Sequence, residues 1–245
     1  MARALDDASS QYLEYAGAVV ADYPVSMACW AYYDDSSISQ VYMSLGHSSD
    51  SSELFAIRHS GTPLSSVLAR TRNDAAIRDA TSPLPDVNTW AHIAGTFEAS
   101  SSYAYTNGVT NGENSNLVVF PNLNRTTIGV QNSGGSLFNP LSGMVCEGAI
   151  WNAILTLAEI QILAAGYSPL LVMPQNLVAY WPLIRDTDDD IVGGYSMTPV
   201  NSPTVAAHPR VLYPIGPYMV PAAAAIAALR IPRHPAAYYG GPTVF

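Results

Sequence analysis

The sequence contains no lysine; all ten of its basic residues are arginine. Lysine commonly keeps sheet edges and free surfaces from sticking. Its absence accompanies a charged fraction of 12% and a hydrophobic fraction of 49%, against roughly 25% charged in an ordinary soluble domain. A chain so composed is expected to carry a sizeable protein–protein contact. Compositional bias of the source genome is the competing account of the missing lysine. With a formal net charge of −9, the clustered cations that grip phosphates are lacking, so nucleic acid is not expected as a partner. No apolar run approaches the roughly 18–20 residues of a membrane span, so neither is a membrane. Residues Met1 to Asp7 turn acidic before any apolar run begins, and no signal peptide is read there. Two cysteines, Cys29 and Cys146, cannot build a disulfide framework or a metal knuckle. Two buried thiols and a single bridge both stay open. A Gly-x-Ser-x-Gly elbow, a Walker loop and a paired-histidine zinc motif are all missing.

What is present from about Gln11 to Trp151 reads as β-structure. Short apolar or alternating runs at 25–32, 41–46, 54–57, 67–69, 90–97, 103–105 and 126–130 are separated by Ser, Asn, Asp, Gly and Pro. This spacing suits an antiparallel sandwich. Asn107-Gly108 should close a hairpin, because both residues tolerate positive φ. One helix is legible. Thr156-Leu157-Ala158-Glu159 is a capping box; Leu157, Ile160, Leu163 and Ala164 share a face; Gly166 and Pro169 stop it. It should plug one end or edge of the sandwich. A strand at 177–183 follows, then an acidic loop at 186–190 and a short strand near 195–198. Beyond about His208, seven prolines punctuate a stretch rich in Ala and Tyr. It is no regular sheet or long helix, and too apolar for a solvated tail. It reads as an extended arm lying against its own domain or a neighbour.

The run Trp90-Ala91-His92-Ile93-Ala94-Gly95-Thr96-Phe97, followed by Tyr105-Thr106-Asn107-Gly108, resembles the laminin G-like and pentraxin-like branch of the concanavalin A-like lectin/glucanase jelly rolls. Gly143 to Asn152, then Leu155-Thr156-Leu157-Ala158-Glu159-Ile160, resembles that family's closing strand and terminal helix. The likeness covers roughly residues 10–170. The strand at 177–183 and the segment 202–209 are similar to tails of laminin G-like proteins encoded by bacteriophages and their hosts. The resemblance implies an all-β, antiparallel two-sheet jelly-roll sandwich with one short helix and an extended C-terminal arm. The expected segments are residues 1–10, a jelly roll at 11–207 and an arm at 208–245. Trp90 and Trp151 are expected between the sheets, and His92 as a strand histidine. Hydrolases of the wider fold carry a Glu-x-Asp-x-x-Glu run. Here Glu147 stands alone beside Gly148, while Glu14 and Glu98 lack a carboxylate two or five residues away. Glycoside hydrolysis needs two carboxylates, so no enzyme is expected.

The leading expectation is a non-enzymatic virion protein, a homo-oligomeric decoration or cementing protein on a phage capsid exterior. It would touch the major capsid protein and copies of itself through Tyr213, Tyr218, Ile226, Leu229, Tyr238, Tyr239 and Phe245 of the arm. The alternative is a carbohydrate-binding adhesin or tail-associated receptor binder. No cofactor is required. Ca²⁺ stays open at Asp186, Asp188 and Asp190, since it takes six to eight oxygens, carboxylates among them. A solvated loop is the competing reading of that run, and Asp34 and Asp35 are a further acidic pair.

Overall fold

The computed structural model describes residues 1–245 except 51–52, 62–65, 74–75, 116–122, 185–186 and 215–245. Met1–Tyr213 forms one compact unit. Among the described residues the strands are β1 (Ala2–Leu5), β2 (Tyr12–Tyr15), β3 (Val25–Tyr33), β4 (Gln40–Gly46), β5 (Leu54–His59), β6 (Ser66–Asn73), β7 (Ala76–Pro83), β8 (Ala91–Phe97), β9 (Ser102–Thr106), β10 (Glu113–Asn114), β11 (Arg125–Ile128), β12 (Gln131–Ser133), β13 (Ser136–Phe138), β14 (Gly143–Trp151), β15 (Leu177–Trp181), β16 (Thr198–Val200) and β17 (Thr204–Ala206); the helix is α1 (Leu157–Ala164). Sheet 1 runs β10-β9-β8-β3-β14-β1-β17, with β15 also on β14; sheet 2 runs β16-β2-β11-β4-β5-β6-β7; β12 and β13 form a hairpin. All these pairings are antiparallel. This is the two-sheet jelly roll expected from the sequence.

Alternation along β3 explains the layering. Met27, Cys29, Ala31 and Tyr33 enter the core between the sheets, where β4 and β5 contribute Met43, Leu45, Phe55 and Ile57. Ala28 belongs to a second core on the outer face of sheet 1, with Ala94, Tyr105, Ala149, Trp151 and Tyr180 packed under Ile160 and Leu163 of α1. Both cysteines are buried and free.

Local signals behaved as their chemistry demands. Asn107 and Gly108 take φ of 50° and 76°, and Thr106 and Val109 exchange backbone hydrogen bonds of 2.9 Å. The Thr156 hydroxyl accepts from the Glu159 amide, and the Glu159 carboxylate accepts from the Thr156 amide at 2.7 Å. Gly166, at φ 90°, follows the helix. The expected placement of α1 is corrected. It lies on the face of sheet 1 rather than at an end or edge, because the small residues Ala28, Ala94 and Ala149 leave room for it there. It buries Ile160 and Leu163, while Leu157 stays 48% exposed. Trp151 also moves: it sits in that outer core, its indole N–H donating to the Val172 carbonyl at 2.9 Å. Trp90 is only partly buried.

The acidic loop is a structural tie. Arg3 of β1 donates from Nε and Nη2 to the two oxygens of Asp188, at 2.7 and 2.8 Å. Asp190 accepts four backbone N–H groups, from Tyr180, Val192, Gly193 and Tyr195, at 2.9–3.1 Å. Asp190→Ala orphans these donors and should destabilise the unit by about 3 kcal/mol. Urea unfolding checks this: a midpoint within error of the parent's would show that water replaces the carboxylate at no cost.

Candidate functional site

Beyond the helix, the outer face of sheet 1 is aromatic. Trp30 and Tyr32 alternate with the core residues of β3 and therefore point outward. The β3–β8 register sets Trp30 opposite His92 and continues to place Tyr32 opposite Trp90. Ring centroids are 5.7 Å apart in the first pair and 5.9 Å in the second. Met144 of β14 pairs with Tyr32 on its other side. Trp30, Tyr32 and Trp90 are each partly exposed. The Tyr32 hydroxyl donates to Asn88 Oδ1 at 3.2 Å, which fixes its ring.

Next to this row is a buried carboxylate. β1 and β15 share one side of β14: β1 pairs Gly143 to Val145, and β15 pairs Gly148 to Trp151. The β3–β14 register shifts between Cys146 and Ala149, and within that shift Glu147 has φ 55°. A bulge of this kind re-aims a side chain. Glu147 is 2% exposed. It accepts from the Tyr180 hydroxyl at 2.5 Å and the Tyr213 hydroxyl at 2.6 Å, and meets His208 Nε2 at 3.0 Å. Burial, then the Glu147 charge, pushes the Tyr180 phenol up; burial and the hydrogen bond to Glu147 do the same for Tyr213. Both phenols remain neutral donors. His208 and Tyr213 belong to a strap that leaves β17 and reaches the end of α1, where Leu212 N–H donates to Gly166 O at 2.7 Å and Ser168 N–H to Leu212 O at 2.9 Å. Tyr213 borders two open hollows of about 420 and 400 Å³, which also share Ile184.

Glu147, Trp30, His92, Leu163 and Tyr167 line a cavity of about 10 Å³, the size of one water site. The buried His92 Nδ1 has no hydrogen-bond partner. Burial pulls the His92 pKa from 6.5 to about 3, and burial chiefly pulls His59 from 6.5 to about 4. Both rings are therefore neutral in the folded protein. Below pH 6.5 the unfolded chain binds protons that the folded chain refuses, so stability falls as pH drops from about 6.5 towards 4. At pH 5 the loss is about 2 kcal/mol per histidine. His92→Gln should flatten the fall in denaturant midpoint between pH 7.5 and 5; a parallel profile would contradict the assignment.

The residues singled out in the sequence are dispersed. Of the arm residues, Tyr213 is in the strap on Glu147; Tyr218, Ile226, Leu229, Tyr238, Tyr239 and Phe245 lie outside the described residues. Asp186 also lies outside them, and Asp188 and Asp190 already serve Arg3 and the backbone. Asp34 accepts from the Ser142 hydroxyl and Asp35 from the Ser37 amide. Among the described residues no three His, Cys, Asp or Glu side chains are grouped to hold a metal ion, so the calcium reading has no donor set there. Trp30, Tyr32 and the Glu147 cluster were not foreseen as a site. The alternation of Trp30 and Tyr32 with small core residues was the available signal.

The sequence profile of the concanavalin A-like lectin/glucanases superfamily matches residues 7–161. The chain belongs to this superfamily. The match contains the laminin G-like motifs at 90–97, 105–108 and 143–160. Among solved structures, a Bacteroides ovatus protein proposed to bind carbohydrate superposes with a TM-score of 0.63 at 17% identity, over 84% of this chain and 59% of that one. This chain thus spans 59% of that protein's length. A heptameric SAP-like pentraxin from Limulus polyphemus gives 0.52 at 15% identity, over 63% of this chain and 75% of that one. Domain 4 of an extracellular arabinanase from Geobacillus stearothermophilus, solved with arabinotriose, gives 0.50 at 19% identity, over 59% and 68%. Among curated protein sequences none matches. At 15–19% identity these likenesses show the fold, and no finding speaks for the capsid reading.

Proposed function

We propose that this concanavalin A-like jelly roll is a non-catalytic carbohydrate-binding protein whose contact surface is the aromatic row on the outer face of sheet 1. The observation that carries the reading is the adjacency of Trp30, Tyr32 and Trp90, partly exposed on one sheet face. The C–H-rich face of a sugar ring packs on an aromatic face, whose negative quadrupole attracts those hydrogens. Rings held by a sheet are preorganised, so little side-chain entropy is lost on contact. Asn88, already bonded to Tyr32, and Asp34 at the end of β3 supply polar groups for sugar hydroxyls. The carbohydrate-binding relatives support the class of ligand. Hydrolysis is not part of the proposal: Glu147 is sealed by two tyrosines and a histidine, and no second carboxylate bonds into its cluster among the described residues. Affinity electrophoresis through gels containing a panel of plant and bacterial polysaccharides tests the reading. Retardation by at least one neutral polysaccharide is expected; unchanged mobility in all of them overturns it.

A further inference from the structure

The outer face of sheet 2 holds a different chemistry. Alternation places Arg58 of β5 and Arg70 of β6 there, among Val41, Leu54 and Ala56. Arg70 is matched: its Nε and Nη2 donate to the two oxygens of Asp79 at 2.8 and 2.7 Å. That fork occupies the Asp79 carboxylate. Arg58 is not matched. It is 5% exposed and set in register between Val41 and Leu68. Its Nε is buried without a hydrogen-bond partner, and its side chain makes no ion pair with a described residue. Arg58 and Arg70 thus share one carboxylate, leaving a positive charge over in a chain of net charge −9. A buried cation without a counter-charge is costly, and folded proteins pair such groups. Burial, with Arg70 adding, pulls the Arg58 pKa to about 10, so the charge persists at neutral pH.

We infer that Arg58 anchors an anion site on the outer face of sheet 2 that takes a small carboxylate. The guanidinium fork fits a planar carboxylate, as the neighbouring Arg70–Asp79 pair already does. Val41 and Leu68 flank Arg58 in register and are themselves buried, so an anion reaches the guanidinium only through its residual exposure. The site is on the opposite sheet from the aromatic row and stands independently of the carbohydrate proposal.

Calorimetry and thermal melts of the full chain with sodium glucuronate, acetate, phosphate, glucose and chloride, at matched ionic strength, test the site. Glucuronate should bind saturably and raise the melting temperature. Acetate acting equally well would identify the carboxylate alone as the ligand, and glucuronate acting better would assign its sugar ring a role; both support the site. Arg58→Met, which keeps the packing and removes the charge, should fold and bind glucuronate at least tenfold more weakly. In the parent protein, the Arg58 Nε–H NMR signal should move on titration, a readout that does not need the variant. A carboxylate effect retained in full by Arg58→Met, a stationary Nε–H signal, or equal action of phosphate and chloride would overturn the inference.

Discussion

Replacing Glu147 by alanine should lower the melting temperature of the 1–213 unit by about 6–12 °C. The carboxylate holds Tyr180, Tyr213 and His208 at 2.5–3.0 Å, and its removal strands the fully buried Tyr180 hydroxyl and releases Tyr213 and His208 of the strap. Deleting a buried, charge-assisted acceptor costs about 3 kcal/mol, and each kcal/mol moves the midpoint of a unit this size by about 2–4 °C. Tyr213→Phe removes one of the bonds and should cost about 1 kcal/mol. Circular dichroism melts separate the two variants. A shift below 2 °C for Glu147→Ala would mean that the cluster does not hold the strap.

The second large effect concerns binding. Trp30→Ala, Tyr32→Ala and Trp90→Ala should each weaken polysaccharide retention about five- to thirtyfold, the equivalent of about 1–2 kcal/mol per ring. The triple variant should migrate freely. Tyr213→Phe keeps an aromatic ring at the strap and should leave retention unchanged, which separates the aromatic row from the Glu147 cluster. Retention surviving in the triple variant, with its melting curve intact, would place the sugar elsewhere.

The sandwich was legible because its strands advertise themselves chemically. In the run from Val25 to Tyr33, Met, Cys, Ala and Tyr at every second position meet the core, and Asn107-Gly108 announces its turn. The helix was legible in its cap, less so in its burial: spacing put Leu157 on the buried face, but the small-residue seat on sheet 1 reaches only Ile160 and Leu163. Strand β7 escaped notice because Arg78 and Asp79 interrupt its pattern; its Asp79 is held by the cross-strand Arg70. β1 escaped for a different reason. Its Arg3 looks like a surface charge until the acidic loop, 185 residues away in sequence, supplies Asp188. Glu147 is the same lesson at the site. A lone glutamate beside a glycine carries no signal, and its meaning comes from a bulge and from partners contributed by two later segments, β15 and the strap. Local chemistry reaches caps and turns, whereas contacts closed by topology need the assembled sheets.

The four tryptophans provide the most direct test of where sugar binds. The indole N–H groups of Trp151 and Trp181 are held internally, by Val172 O at 2.9 Å and Tyr195 O at 2.7 Å, while Trp30 and Trp90 are partly exposed on the proposed surface. Titrating ¹⁵N-labelled protein with an oligosaccharide fragment of the retained polysaccharide should shift the Trp30 and Trp90 indole signals along one saturable curve and leave those of Trp151 and Trp181 in place. Saturable binding with the Trp30 and Trp90 signals unmoved would contradict the account.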